Sequence, residues 1–234
     1  MGLTYLGVNS ETGNFNSWLD ITREERLFCS HLYHDVRSGG LERDFVGWLK
    51  SEGTWQDELA RQDLKVDQEW EIAYEVCFYR DLLKSRQGKT ARQQGYPSKR
   101  TFDLCLFSEE NIVIVEAKVH EALDSVQLGH FVKYVNRKGE VLSGDKQLVR
   151  HLAGGGNRPS VCAVALASSK YLLAPHGGVR QVADVEAVIT WQRIHRWANT
   201  SIDGYQGIYS VADDKYGKPT AFQNGEPRLD APTV

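Results

Sequence analysis

Residues 100 to 118 place three charged side chains, Asp103, Glu116 and Lys118, inside what otherwise reads as a buried β-hairpin. The arms 101–107 and 112–119 are rich in Val, Ile, Leu and Phe, and the polar residues Ser108, Glu109, Glu110 and Asn111 join them. If Phe107 and Ile112 close a four-residue loop, pairing continues through Cys105 and Ile114 to Asp103 and Glu116, so two carboxylates oppose each other. The period of two puts Asp103, Cys105, Phe107, Ile112, Ile114, Glu116 and Lys118 on one face and Leu104, Leu106, Val113, Val115 and Ala117 on the other. Like charges opposed on a sheet cost roughly 0.2–1 kcal/mol in water, and more when buried. A compensating cation is therefore expected. A hard divalent ion suits the pair, because it takes one or two carboxylates and leaves positions for water and phosphate oxygens. Lys118 would then stabilise developing negative charge or help to deprotonate water. The competing reading is an ordinary solvent-facing strand surface, against which Ile112 and Ile114 on the same face argue.

Asp103, twelve intervening residues, and then Glu116-Ala117-Lys118 at the end of an apolar strand resemble the PD-(D/E)XK nuclease superfamily. Phe102 stands where that pattern's nominal Pro precedes the Asp. The resemblance runs from about residue 70 to 135. It implies an α/β, restriction-endonuclease-like fold, a mixed β-sheet core flanked by helices. It also implies Mg²⁺ or Mn²⁺ held by Asp103 and Glu116, with Lys118 orienting the attacking water.

Asp124 to Tyr134 reads as an amphipathic helix. Some branches of the superfamily carry Gln-Leu-x-x-Tyr here, with the Gln near the metal site; this chain has Gln127 and Leu128, with Phe131 in place of the Tyr. A capping box from Asp124 to Gln127 explains the same residues locally. The superfamily also places a helical Glu beside the carboxylates, for which Glu75, read here within a helix over 68–84, stands ahead of Glu25. Thr22 to Glu25 equally fits a capping box, and Glu71 with Glu75 a solvated helix face.

The 234 residues, 41% of them hydrophobic, suffice for one sizeable core, so a single domain is expected: a helical extension over 1–67, a core over 68–170, and a C-terminal helix and tail over 171–234. The longest apolar run, 161–167, is too short to span a bilayer, and the N-terminus lacks signal-peptide features. No membrane partner and a cytoplasmic location are the expectation. Cys29, Cys77, Cys105 and Cys162 lack zinc-ligand spacing and read as buried free thiols.

The net charge of −3 conceals a basic stretch: Lys84, Arg86, Lys89, Arg92, Lys99 and Arg100 fall within 82–102, where no acid occurs. It reads as a phosphate-tracking loop or as a solvated polar loop. Further helices are expected near 20–37, 42–50, 55–62, 144–153 and 184–197, a buried strand over 161–168, and an irregular tail from 201. Arg193, His195 and Arg196 crowd the end of the 184–197 helix, where they suit its dipole or could touch phosphate. Gly154 to Gly156 lack the Lys-Ser/Thr of a phosphate loop and read as a turn.

The expected function is metal-dependent hydrolysis of DNA phosphodiester bonds, with RNA open as a substrate, endo- and exonuclease action both open, and a homodimer compatible. Two alternatives stand beside it. One is a nuclease-fold protein without turnover, acting as a nucleic-acid-binding or defence-complex component. The other is a metal-free carboxylate-pair hydrolase of glycosidase type, for which Asp103 and Glu116 would do acid and base work.

Overall fold

The computed structural model describes residues 24–81, 83, 88–97, 100–119, 125–153, 158–173 and 184–214. Its strands are β1 (Thr54–Trp55), β2 (Glu71–Val76), β3 (Phe102–Phe107), β4 (Asn111–Ala117), β5 (Lys133–Val135), β6 (Val141–Ser143), β7 (Ser160–Ala167) and β8 (Ala187–Thr190). Its helices are α1 (Glu24–Gly39), α2 (Glu42–Glu52), α3 (Glu58–Asp63), α4 (Phe78–Asp81), α5 (Ser125–Gly129), α6 (Asp145–Ala153), α7 (Ser169–Leu173), α8 (Trp191–Ser201) and α9 (Ile208–Asp214).

Six strands form one mixed sheet in the order β1-β8-β7-β4-β3-β2. β2, β3 and β4 make an antiparallel meander, β7 and β8 then add in parallel, and β1 closes the edge antiparallel to β8. Helices cover both faces. Leu104, Leu106, Val113, Val115, Ala117, Val164 and Leu166 meet α1, α2 and α8 on one side. Cys105, Ile112, Ile114, Ala163 and Ala165 meet α4, α5 and α6 on the other. A strand covered on both faces loses its polar alternation, and β4 is buried along its whole length.

The hairpin has the expected register, with Phe107 opposite Ile112, Cys105 opposite Ile114 and Leu104 opposite Val115. Helices α1, α2 and α6 and strand β7 also fall where the apolar spacing puts them. Four expectations are corrected. Residues 71–76 form β2 rather than part of a helix over 68–84, because Ile72 is buried and the segment completes the meander against β3. The helix expected over 124–134 stops at Gly129; β-branched Val132 and Val135 carry the chain into the β5–β6 hairpin, which lies apart from the main sheet. Residues 187–190 form β8, and the final helix begins only at Trp191, where the Thr190 side chain caps it by accepting the Arg193 N–H at 3.1 Å. Within the polar tail, 208–214 is helical, held by the buried Tyr209 and Ala212. The sheet thus takes β1 and β8 from outside the 68–170 span assigned to the core.

Gly144 makes the turn into α6 feasible, since a Cβ there would lie 2.3 Å from the Val132 carbonyl carbon. All four cysteines are buried and free. No helix among the described residues is long and apolar enough to cross a membrane.

Trp191 ties the helical layer to the hairpin. It is fully buried between Phe28, at 5.9 Å, and Tyr209, at 6.1 Å, and its indole N–H donates to the Lys118 carbonyl at 2.9 Å. Trp191→Ala is expected to lower the unfolding free energy by about 3–5 kcal/mol in urea titrations, and Trp191→Phe by clearly less because most of the volume remains.

Candidate functional site

The end of the β3–β4 hairpin gathers the charged residues. Beyond the Leu104–Val115 pair, the register brings Asp103 level with Glu116. Instead of continuing the ladder, an Asp103 oxygen accepts the backbone N–H of Ala117 at 2.8 Å. Partners on β2 are Tyr74 with Leu104 and Val76 with Phe102, so Glu75 falls level with Asp103 from the opposite side. Three acids therefore stand in a row across three strands.

Lys118 follows β4 and is nearly buried. Its Nζ lies 3.2 Å from Glu25 Oε2 and 3.6 Å from Glu116 Oε1. Glu25 reaches it from the first turn of α1, and the Lys118 backbone is pinned by its N–H to the Leu166 carbonyl at 2.8 Å. Gln127 of α5 donates its Nε2–H to Glu116 Oε1. Glu116 Oε2 is buried and has no hydrogen-bond partner among the described residues.

Burial raises the Glu116 carboxyl to about 8, and the Asp103 charge adds to it against the opposing pull of Arg100 and Lys118. Burial also raises Asp103, while the Ala117 N–H draws it back down. For Lys118, burial works against the charge, but Glu25, Glu116 and Asp103 outweigh it and hold the ammonium above its usual range. Lys118 is a cation at neutral pH. It suits electrostatic stabilisation and not proton abstraction.

Asp103, Glu116, Lys118, Glu25 and Gln127 thus meet at one place. Glu75 sits on a strand at their edge, at φ 51°, with its carboxylate 2.7 Å from Arg26 Nε. A positive φ at a non-glycine residue is strained backbone.

The basic stretch divides. Lys84, Arg86 and Lys99 lie outside the described residues, as do Thr22, Asp124 and Gly154 to Gly156. Lys89 and Arg92 are exposed. Arg100 differs from them: its side chain is only 8% exposed, its Nε donates to Asp145 Oδ2 at 2.8 Å, and its guanidinium covers the Phe102 and Phe131 rings at 5.1 and 5.4 Å. It forms a buried ion pair at the cleft wall beside Gln127. Arg193, expected near a helix end, lies in the first turn of α8 and donates to the Glu52 carbonyl and, at 3.0 Å, to Thr54 Oγ1. His195 meets the Tyr205 hydroxyl and Asn199.

Sequence reasoning missed Asp145. It is fully buried and takes Arg100 on one oxygen and the Tyr79 hydroxyl on the other. Its only sequence signal is a position in the first turn of a helix, which reads as an ordinary dipole partner.

No family model, no curated protein and no solved structure matches this chain.

The donor set fits a hard cation of the Mg²⁺ type. Among the described residues no three Asp, Glu, His or Cys side chains form a ready cage. An ion that takes one or two carboxylates and otherwise water needs none, and the unpartnered Glu116 Oε2 is an available oxygen ligand.

Glu116 gives a pH prediction. Below about 4.5 it is protonated whether the chain is folded or not; between there and about 8 the unfolded chain releases the proton that the native state keeps. This contribution to stability is full at low pH and is lost as pH rises toward 8, by at most about 1.4 kcal/mol per pH unit. In chelator-containing buffer, urea titrations at pH 5–8 should show that loss in the wild type and a flatter profile for Glu116→Gln. Identical slopes would show that Glu116 is not held protonated. Separately, Arg100→Ala strands a buried carboxylate and should destabilise the fold by about 3–5 kcal/mol in the same titration.

Proposed function

We propose that this protein is a metal-dependent nuclease of the PD-(D/E)XK type that hydrolyses phosphodiester bonds, with DNA as its substrate. The observation that carries the reading is the meeting of two facing carboxylates, one with an unpartnered buried oxygen, with a protonated lysine at the end of one hairpin. The order α1, then the β2–β3–β4 meander, then α6 crossing to β7 in parallel with β4, supports a restriction-endonuclease-like core, in which a strand follows the second helix. In that arrangement the helical glutamate beside the site is Glu25.

Asp103 and Glu116 would hold Mg²⁺ or Mn²⁺, which when bound supplies Lewis-acid polarisation of a phosphoryl oxygen and a more acidic water. The protein's own groups set the rest. The Ala117 N–H fixes the Asp103 carboxylate, and the Gln127 amide orients Glu116. Lys118 would present its positive charge to the negative charge that develops on the phosphoryl oxygens, and Glu25 and the Trp191–carbonyl bond hold it there. Such preorganisation stabilises the transition state more than the bound substrate.

Protonated Glu116 also favours a second reading, a metal-free carboxylate-pair hydrolase with Glu116 as general acid. Lys118 beside the pair favours phosphate chemistry, and chelator separates the two.

Linear and circular DNA incubated with the protein and Mg²⁺ or Mn²⁺ should be cut, and chelator should stop the cutting. Lys118→Ala should slow cleavage by about two to three orders of magnitude while DNA affinity stays within a few-fold. Either metal should raise the wild-type melting temperature, and Asp103→Asn should abolish that rise. An equal rise in the variant places the ion elsewhere, and unchanged cleavage by Lys118→Ala overturns the role given to the lysine.

A further inference from the structure

A cleft of about 1070 Å³ opens directly beside Gln127, the residue that touches Glu116. This is slightly above the roughly 300–1,000 Å³ of clefts that hold drug-sized ligands. One wall is the β5–β6 hairpin and the other is the turn at Arg92–Gln94. Alternation in the hairpin exposes Lys133, Val135, Val141 and Ser143 and leaves Tyr134 and Leu142 half-buried on the other face.

Aromatic rings run from the core to the cleft. Tyr79 meets Tyr96 at 5.3 Å, Tyr96 meets Tyr134 at 5.9 Å with planes 31° apart, and His130 meets Tyr134 edge-on at 4.9 Å. The series is anchored at its inner end, where the Tyr79 hydroxyl donates to Asp145. Its outer end is held by a constrained turn. The Asn136 side-chain oxygen accepts the N–H groups of Lys138 and Glu140 at 2.9 and 3.0 Å, and its amide donates to Glu140 Oε2 at 2.6 Å. Gly95, at φ 84°, allows close docking of the Arg92 turn, since a Cβ there would lie 2.8 Å from the Asn136 amide nitrogen. Arg92, Arg137 and Lys138 are exposed at the rim, and Glu140, the one acid among the described residues that line the cleft, accepts from the Asn136 amide.

We propose that this cleft is a binding site for single-stranded nucleic acid, with bases stacking on Tyr134 and Tyr96, phosphates held by Arg92, Arg137 and Lys138, and the strand delivered past Gln127 to the carboxylates. The inference rests on the nuclease reading and narrows its substrate. Three rim cations against one acid favour a polyanion. Aromatic faces select unpaired bases, because in a duplex neighbouring base pairs already cover the base faces. A rigid, pre-formed platform reduces the ordering cost of binding.

The test is fluorescence anisotropy with a labelled thymidine 12-mer and a 12-base-pair duplex, in chelator so that nothing is cut. The single strand is expected to bind more tightly than the duplex. Tyr134→Ala should weaken it about tenfold, the order of one lost base–aromatic stack, and Tyr134→Phe should leave it within about twofold. Arg137→Ala, at an exposed turn where folding is not at stake, should make the salt dependence shallower by about 0.7 in the log–log slope. Duplex binding as tight as single-strand binding overturns the proposal. So does unchanged affinity in both Tyr134→Ala and Arg137→Ala. Metal-dependent cutting of duplex without single-strand preference removes this inference and leaves the nuclease reading intact. Single-strand preference with no cutting in any metal supports the cleft and removes the catalytic reading.

Discussion

The arrangement depends on one electrostatic problem: Asp103 and Glu116 carry like charge at the end of a hairpin that is buried on both faces. An unpaired carboxylate in such a place costs several kcal/mol, so the fold must either neutralise it or surround it with donors and cations. It does both. Burial and the Asp103 charge raise the Glu116 carboxyl, which favours its neutral form, Asp103 takes the Ala117 N–H, and Lys118 stands between Glu116 and Glu25. Each solution recruits a different element. α1 brings Glu25, α5 brings Gln127, and α8 fixes the Lys118 carbonyl through Trp191. The two helical layers are thereby tied to one point of the sheet.

A second buried pair, Arg100 with Asp145, neutralises another carboxylate among α4, α5 and α6. Arg100 stands three residues before Asp103, and its charge also reaches Glu116. Asp145 in turn anchors Tyr79, which begins the series of rings toward the cleft. Arg100 and Asp145 therefore lie between the carboxylates and the rings that lead to the cleft.

Much of the site could be read along the chain because its main pieces are local. Asp103 and Glu116 sit on adjacent arms of one hairpin, and a four-residue loop with a period of two fixes which residues oppose each other. Gln127 came only from the resemblance, beside an equal capping-box reading, and the structure puts its amide on Glu116. Local sequence could not decide that residues 71–76 are a strand. Glu71 and Glu75 at a spacing of four mimic a helix face, and only pairing with β3 makes extended backbone the better state. Residues 133–135 and 187–190 failed for the same reason: a short apolar segment serves either structure until a partner strand is present.

The sequence by itself determined the hairpin, its register, the face shared by Asp103, Glu116 and Lys118, and the buried character of β4 and β7, because steric alternation and turn length are properties of neighbouring residues. Only the tertiary structure decided which cations of the basic stretch are buried in the scaffold and which face solvent. Arg100 and Arg92 look alike in one basic stretch, yet Arg100 is buried against Asp145, 45 residues away, and Arg92 faces solvent at the cleft rim. Glu25, and not Glu75, lies against Lys118, because of where α1 packs on the sheet. Charge acts through space and burial, and neither is written in the spacing of residues along the chain.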